Sequence, residues 1–231
     1  MSGLVDAIAA WRAAGVDVVL VSSGAIATGA PFLRLTDRPQ DLATQQAAAA
    51  VGQTLLMARY QALFEKYSII TGQVLLTVGD IENATHRVNA SRTMERLLGL
   101  GIVPIVNEND TVATQEIRFG DNDRLAALVS ELVNADALVL LSDVDALYTK
   151  PPGEPGATRI DTVAFGDELE GIELGAALVN SVGTGGAVTK VSAARMATQA
   201  GIPTLLTATD AIGRVAAGET VGTWFEPAPL H

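Results

Sequence analysis

Cysteine is absent from the 231 residues, which removes disulfide scaffolds, thiol nucleophiles, zinc–thiolate sites and cysteine-bound iron–sulfur clusters together. Histidine is nearly absent, with only His86 and His231. A Ser-His-Asp hydrolase would have to use one of these two, and the sequence around Ser22 and Ser23 is not the G-x-S-x-G elbow of that chemistry. Positive charge is scarce: 15 Lys and Arg against 26 Asp and Glu give a formal net charge of −11, so a nucleic-acid partner is not expected. No apolar run is long enough to span a bilayer, and the first residues show no basic stretch leading into an apolar core. The expectation is a cytoplasmic protein that binds neither membranes nor nucleic acids. What remains is ordinary globular material, 48% hydrophobic and 18% charged, of a length that suits one domain over 1–231.

Short apolar runs recur with the same punctuation. Val16–Val21 leads into Ser22, Ser23 and Gly24; Val74–Leu76 into Thr77; Ile102–Val106 into Asn107, Glu108, Asn109 and Asp110; Ala137–Leu141 into Ser142 and Asp143; Ile202–Leu206 into Thr207. Runs this short, rich in Val, Ile and Leu and nearly free of polar residues, read as parallel strands buried on both faces. Helical stretches lie between them at Leu4–Ala14, Leu42–Lys66, Asn89–Leu98, Asp123–Val133 and Gly186–Ala200. Three of these are followed by Gly15, Gly101 and Gly201, where glycine supplies the left-handed residue that turns a helix toward the next strand. Alternating strand and helix predict an α/β fold with a mostly parallel sheet. The Pro- and Gly-rich stretch 150–175 breaks the rhythm and reads as a surface excursion with a hairpin around Ile160–Phe165.

In parallel sheets, ligands gather outside the carboxyl ends of the strands. The polar residues after each run are therefore the candidates, and each has a plain structural reading beside the functional one. Ser22-Ser23-Gly24 is either a helix cap or a turn whose N–H groups hold an anion. Asn107-Glu108-Asn109-Asp110-Thr111 is either a self-satisfied loop or a site for an amino-acid ammonium group. Asp121-Asn122-Asp123 exceeds what one N-cap requires, and a surplus carboxylate could orient a lysine or face a metal-bound nucleotide. Ser142-Asp143 is either a turn or a nucleotide contact. Gly183-Thr184-Gly185-Gly186-Ala187-Val188-Thr189-Lys190 is a Gly-rich loop opening a helix, suited to phosphate, although its spacing is not that of a Walker A loop.

Taken in order, Val-Ser-Ser-Gly-Ala-Ile-Ala from Val21, Ala-Val-Gly-Gln from Ala50, Gly-Gln-Val-Leu-Leu-Thr from Gly72, Val-Asn-Glu-Asn-Asp-Thr from Val106, Gly-Asp-Asn-Asp from Gly120, Leu-Leu-Ser-Asp-Val-Asp-Ala-Leu-Tyr from Leu140 and Gly-Thr-Gly-Gly from Gly183 resemble the amino-acid kinase family. Within it, they are similar to the branch that phosphorylates the γ-carboxylate of L-glutamate, the first step of proline synthesis. The resemblance runs from about Leu4 to Phe225. It implies a three-layer α-β-α sandwich, ATP as phosphoryl donor and Mg²⁺ accompanying it. It implies that Ser23, Asp110 and Asn122 bind glutamate, and that Ser142, Asp143 and Thr184, Gly185, Gly186, Ala187, Val188, Thr189 and Lys190 form the ATP site. Lys190 matches the lysine that stabilises the moving phosphoryl group, and Asp123 the carboxylate that organises the lysines. No protein residue is assigned as a metal ligand. Homo-oligomer formation and feedback inhibition by proline are also implied.

Two features depart from the family pattern. The family opens with a strand bearing a V-x-K-x-G-S-S type segment, and none of Lys66, Lys150 and Lys190 falls at its place. The expectation is a kinase domain shortened at its N-terminus relative to the family, without the C-terminal PUA-type domain that many members carry. Ala187-Val188 also stands where members usually have Met. Two rival readings therefore stay open: another enzyme of the family, acting on acetylglutamate, carbamate or a uridylate, and a catalytically impaired chain that binds glutamate or nucleotide and regulates a complete kinase.

Overall fold

The computed structural model describes residues 1–34, 41–112, 122–170, 172 and 186–229. The chain divides into two compact units, Met1–Asn122 and Asp123–His231.

In the first unit the elements run α1 (Ser2–Ala13), β1 (Leu20–Val21), α2 (Ala25–Gly29), α3 (Leu42–Glu65), β2 (Thr71–Leu76), α4 (Val78–Glu82), α5 (Ala84–Gly99) and β3 (Val103–Glu108). The sheet order is β1-β3-β2 and both pairings are parallel, so all three strands end at the same edge. All six residues of the central strand β3 are buried, as its unbroken apolar start predicts. Val5, Ile8, Leu20, Leu56, Tyr60, Phe64, Val103 and Ile105 form the core, drawn from α1, α3 and the sheet. Side-chain caps set several helix starts: Asp41 accepts the Thr44 N–H at 2.9 Å before α3, and Asn83 accepts those of Thr85 and His86 before α5.

The second unit holds α6 (which starts at Asn122 and ends at Leu132), β4 (Leu138–Ser142), β5 (Leu147–Tyr148), β6 (Arg159–Ile160), β7 (Thr162–Val163), α7 (Ala187–Gln199), β8 (Thr204–Ala208), α8 (Ile212–Ala216) and β9 (Thr223–Phe225). The main sheet has the order β4-β8-β9-β7, with β4 and β8 parallel and β9 antiparallel to β8. The expected hairpin around Ile160–Phe165 does not form. β6 instead pairs antiparallel with β5, and β7 pairs parallel with β9. Two-residue strands carry no periodicity, and distant partners decide which edge they join.

The three glycine joints take the predicted form. Gly15, Gly101 and Gly201 have φ of 85°, 74° and 83°. After α1 the Gly15 N–H donates to Arg12 O and the Val16 N–H to Trp11 O, both at 3.0 Å. The same pair of bonds follows α5, from Gly101 and Ile102, and α7, from Gly201 and Ile202. These are Schellman closures that satisfy the last helix carbonyls and aim the chain at the next strand.

Candidate functional site

In the first unit the candidates stand at the shared carboxyl edge of the sheet. Val21 pairs with Val106, and the Ser22 N–H extends that ladder to Val106 O at 2.8 Å. Ser22 is buried, with its hydroxyl 3.2 Å from the Tyr60 phenol. Ser23 follows it and is exposed at the turn. Neither serine caps α2: Gly24 occupies the cap in the left-handed region at φ 94°, with no side-chain hydrogen bond. The capping reading is thereby removed for this turn, and Ser23 keeps a free approach to solvent.

What fixes this turn is a contact between helix backbones. A Cβ on Gly29 of α2 would lie 1.9 Å from Ala48 O, and one on Gly52 of α3 would lie 1.7 Å from Ala25 O. Only glycine lets the two helices approach this closely. α2 is thus seated on α3, and the Ser22–Gly24 turn that leads into it is held with it.

Gln53 follows Gly52 directly. Its Oε1 accepts from Asn107 Nδ2 at 2.7 Å, while Asn107 Oδ1 accepts the Glu108 N–H at 2.9 Å. The second bond fixes the Asn107 amide, and through it that of Gln53. Gln53 Nε2 is left buried without a partner. Asn107 and Glu108 were among the sequence candidates, with a self-satisfied network as one of their readings; the partner Gln53 was not.

Asp110 opens a short 3-10 turn, Asp110–Val112, just beyond β3. Burial pushes its carboxyl up to about 6. A carboxylate so desolvated gains from a cationic partner such as an ammonium group. At the β2 exit, the Thr77–Asp80 capping box starts α4, and Asp80 is held low first by the Thr77 hydroxyl and backbone N–H and then by His86, 2.9 Å away. Asn122 is half-buried at the start of α6, and its Oδ1 is buried without a partner.

In the second unit, the starts of α6 and α7 bring together residues 67 positions apart in sequence. Lys190 Nζ donates to Asp123 Oδ1 at 2.7 Å. Thr189 Oγ1 donates to Asp123 Oδ2 at 2.8 Å and lies 2.9 Å from Gly186 O. The Lys190 and Asp123 side chains are 12% and 13% exposed, so the pair is shielded yet reachable. Ala187 is buried and Val188 exposed in the same turn. Thr184 and Gly185 lie outside the described residues. At the β4 exit, buried Ser142 donates to Asp143 Oδ1 at 3.1 Å, and Thr209, beyond β8, donates to Ser142 O at 3.1 Å. Parallel pairing of β4 with β8 brings these two exits together. Among the described residues no three His, Asp or Glu side chains gather as a metal site, and both Asp123 oxygens are engaged.

The amino acid kinase family model matches residues 1–208. The chain belongs to the amino acid kinase family. Relatives named glutamate 5-kinase include one from Clavibacter sepedonicus, 68% identical over 97% of this chain and 86% of its own length. One from Leifsonia xyli is 67% identical over 97% of this chain and 83% of its own. Among solved structures, a carbamate kinase from Giardia lamblia bound to AMP-PNP superimposes with a TM-score of 0.69 at 16% identity, covering 98% of this chain and 89% of that one. An isopentenyl phosphate kinase gives 0.60 at 17% identity, covering 97% and 89%. The α/β class expected from the strand and helix pattern and the amino acid kinase fold implied by the resemblance are the fold found. Among the described residues no helix is long and apolar enough to cross a membrane.

Proposed function

We propose that this chain transfers the γ-phosphoryl group of ATP to the γ-carboxylate of L-glutamate, giving L-glutamyl 5-phosphate and ADP. The observation that carries the reading is the 68% identity to a glutamate 5-kinase over 97% of the chain. The Lys190–Asp123 pair supports it from the side of the chemistry.

The acceptor carboxylate is already anionic and needs no general base, which accords with a chain of only two histidines. Phosphoryl transfer instead requires in-line positioning and positive charge on the moving oxygens. A γ-carboxylate oxygen forms the new bond to phosphorus while the bridging oxygen to the β-phosphate leaves with ADP. Lys190 spends one of its three N–H bonds on Asp123 and keeps two for phosphoryl oxygens. In this reading Asp110 takes the substrate ammonium, while Ser23 and Asn122 hold its carboxylates. Ser142, Asp143 and the segment Thr184–Lys190 take the nucleotide, Thr189 by its place in that segment and not by its hydroxyl, which is bonded to Asp123. Mg²⁺ would accompany the nucleotide and would supply further charge neutralisation at the phosphates. The residues suit an ion held by phosphate oxygens and water, and no carboxylate of this chain is assigned to it. The reading also places the protein in the cytoplasm as a homo-oligomer that proline inhibits.

The test is MgATP-dependent γ-glutamyl hydroxamate formation with matched ADP release. The reading requires turnover with L-glutamate and none with N-acetylglutamate, carbamate or UMP. Turnover with one of those instead assigns another family activity. Glutamate binding without turnover assigns the regulatory form.

A further inference from the structure

Asp123 has two oxygens, and the structure gives each a different donor. Lys190 holds Oδ1 and Thr189 holds Oδ2. Thr189 and Lys190 are consecutive in the first turn of α7, so both bonds reach the carboxylate from one rigid element. The Thr189 hydroxyl has a single proton and two acceptors in range. One, Gly186 O, already accepts the Lys190 backbone N–H at 3.2 Å. The other is an ionised carboxylate, the stronger acceptor.

We propose that Thr189 is a positioning residue: its hydroxyl is committed to Asp123, and it acts on the reaction through Asp123 and Lys190 rather than by touching the nucleotide. The inference rests on the kinase reading above. A carboxylate bound through one oxygen can turn about its last side-chain bond; bound through both, it cannot. The Thr189 bond therefore fixes where Oδ1 lies and, with it, the direction of the Lys190 ammonium. The bond also matters when Lys190 shifts toward a phosphoryl oxygen. At that moment Asp123 loses part of its lysine contact in a shielded place, and the hydroxyl still satisfies it.

The experiment compares Thr189→Val, Thr189→Ser, Asp123→Ala and Thr189→Val combined with Asp123→Ala, in the full chain. Each is characterised by kcat, the two KM values, ATP affinity by calorimetry and the melting temperature. Thr189→Val keeps the shape and loses the donor, and kcat should fall about tenfold to a hundredfold from misdirection of Lys190. Both KM values and the ATP Kd should stay within about twofold, the signature of an interaction that matters in the transition state. Thr189→Ser restores the donor and should restore most of kcat. In the Asp123→Ala background, Thr189→Val should cost nothing more, because its partner is gone.

A raised ATP KM or Kd with kcat unchanged would assign the hydroxyl to the nucleotide and overturn the proposal. Losses that multiply in the double variant would overturn it as well. Equal losses in the serine and valine variants, following a fall in melting temperature, would reduce Thr189 to a packing role. The wild type is assayed first. Absence of glutamyl phosphate formation there overturns the kinase reading and this inference together, whereas an active wild type with an indifferent Thr189→Val overturns this inference alone.

Discussion

At the scale of single residues, two ionisable groups bear most directly on the proposed reaction. Asp110 is one. Its carboxyl ionises near 6 in the folded chain against 3.8 when unfolded, because burial disfavours the anion. The folded state therefore holds more protons than the unfolded state between these values, and stability falls as pH rises from about 4 to 6 and levels off above that. Asp110→Asn should flatten that slope in urea unfolding measured across the range. An ammonium ligand reverses the preference, since it favours the ionised form. The KM for glutamate should accordingly drop as pH rises toward 6 and stay constant beyond it, and Asp110→Asn should raise it above about pH 6 while leaving it little changed at the acid end, where the wild-type carboxyl is already neutral. Lys190 is the other group. Lys190→Met keeps the stem and removes the charge, and glutamyl phosphate formation should fall by about a hundredfold or more while ATP is still bound. An active Lys190→Met enzyme would remove the lysine from the chemistry.

At the scale of elements, the decisive contact is that of α2 with α3. Alanine is favoured over glycine inside a helix by about 1 kcal/mol, so Gly52→Ala would stabilise an indifferent α3. Here the added methyl meets a carbonyl at 1.7 Å, and the expected outcome is a loss of about 3 kcal/mol in denaturant unfolding. The same substitution should weaken glutamate binding, because the Ser22–Gly24 turn moves with α2. The elements also show what a sequence discloses. Gly15, Gly101 and Gly201 were readable because a left-handed helix end is a local demand with one cheap solution. The β3 exit was readable because a polar run after an unbroken apolar stretch is conspicuous, although its first two residues, Asn107 and Glu108, still belong to the strand. The α2–α3 contact was not, since a glycine that admits a neighbouring backbone looks like any other until the neighbour is known. Gln53 meets Asn107 across 54 positions and Thr189 meets Asp123 across 66, and no local pattern records such separations. The antiparallel β9 escaped notice for a similar reason: three residues do not reveal direction.

At the scale of the whole molecule, the two units divide the proposed ligands. Glutamate is assigned to exits in Met1–Asn122, and the nucleotide to those of Asp123–His231. Hydrogen exchange should resolve this. Glutamate should slow amides at Ser22–Ile26 and Asn107–Thr111, and AMP-PNP those at Ser142–Val144 and Ala187–Lys190. Protection with the ligands exchanged would refute the assignment. The net charge of −11 leads to a further expectation: the protein should pass through heparin unretained at low salt, because polyanions are repelled over most of its surface.

The glycine-to-carbonyl contact between α2 and α3 also bears on how this scaffold could be altered. A backbone pressed against a backbone has no side chain left to trim, so the Ser22–Gly24 turn cannot be retracted by shortening something behind it. Directed evolution toward a bulkier acid should therefore leave positions 29 and 52 untouched in every surviving clone. Accepted changes would collect among the side chains of the β3 exit, where room can still be made.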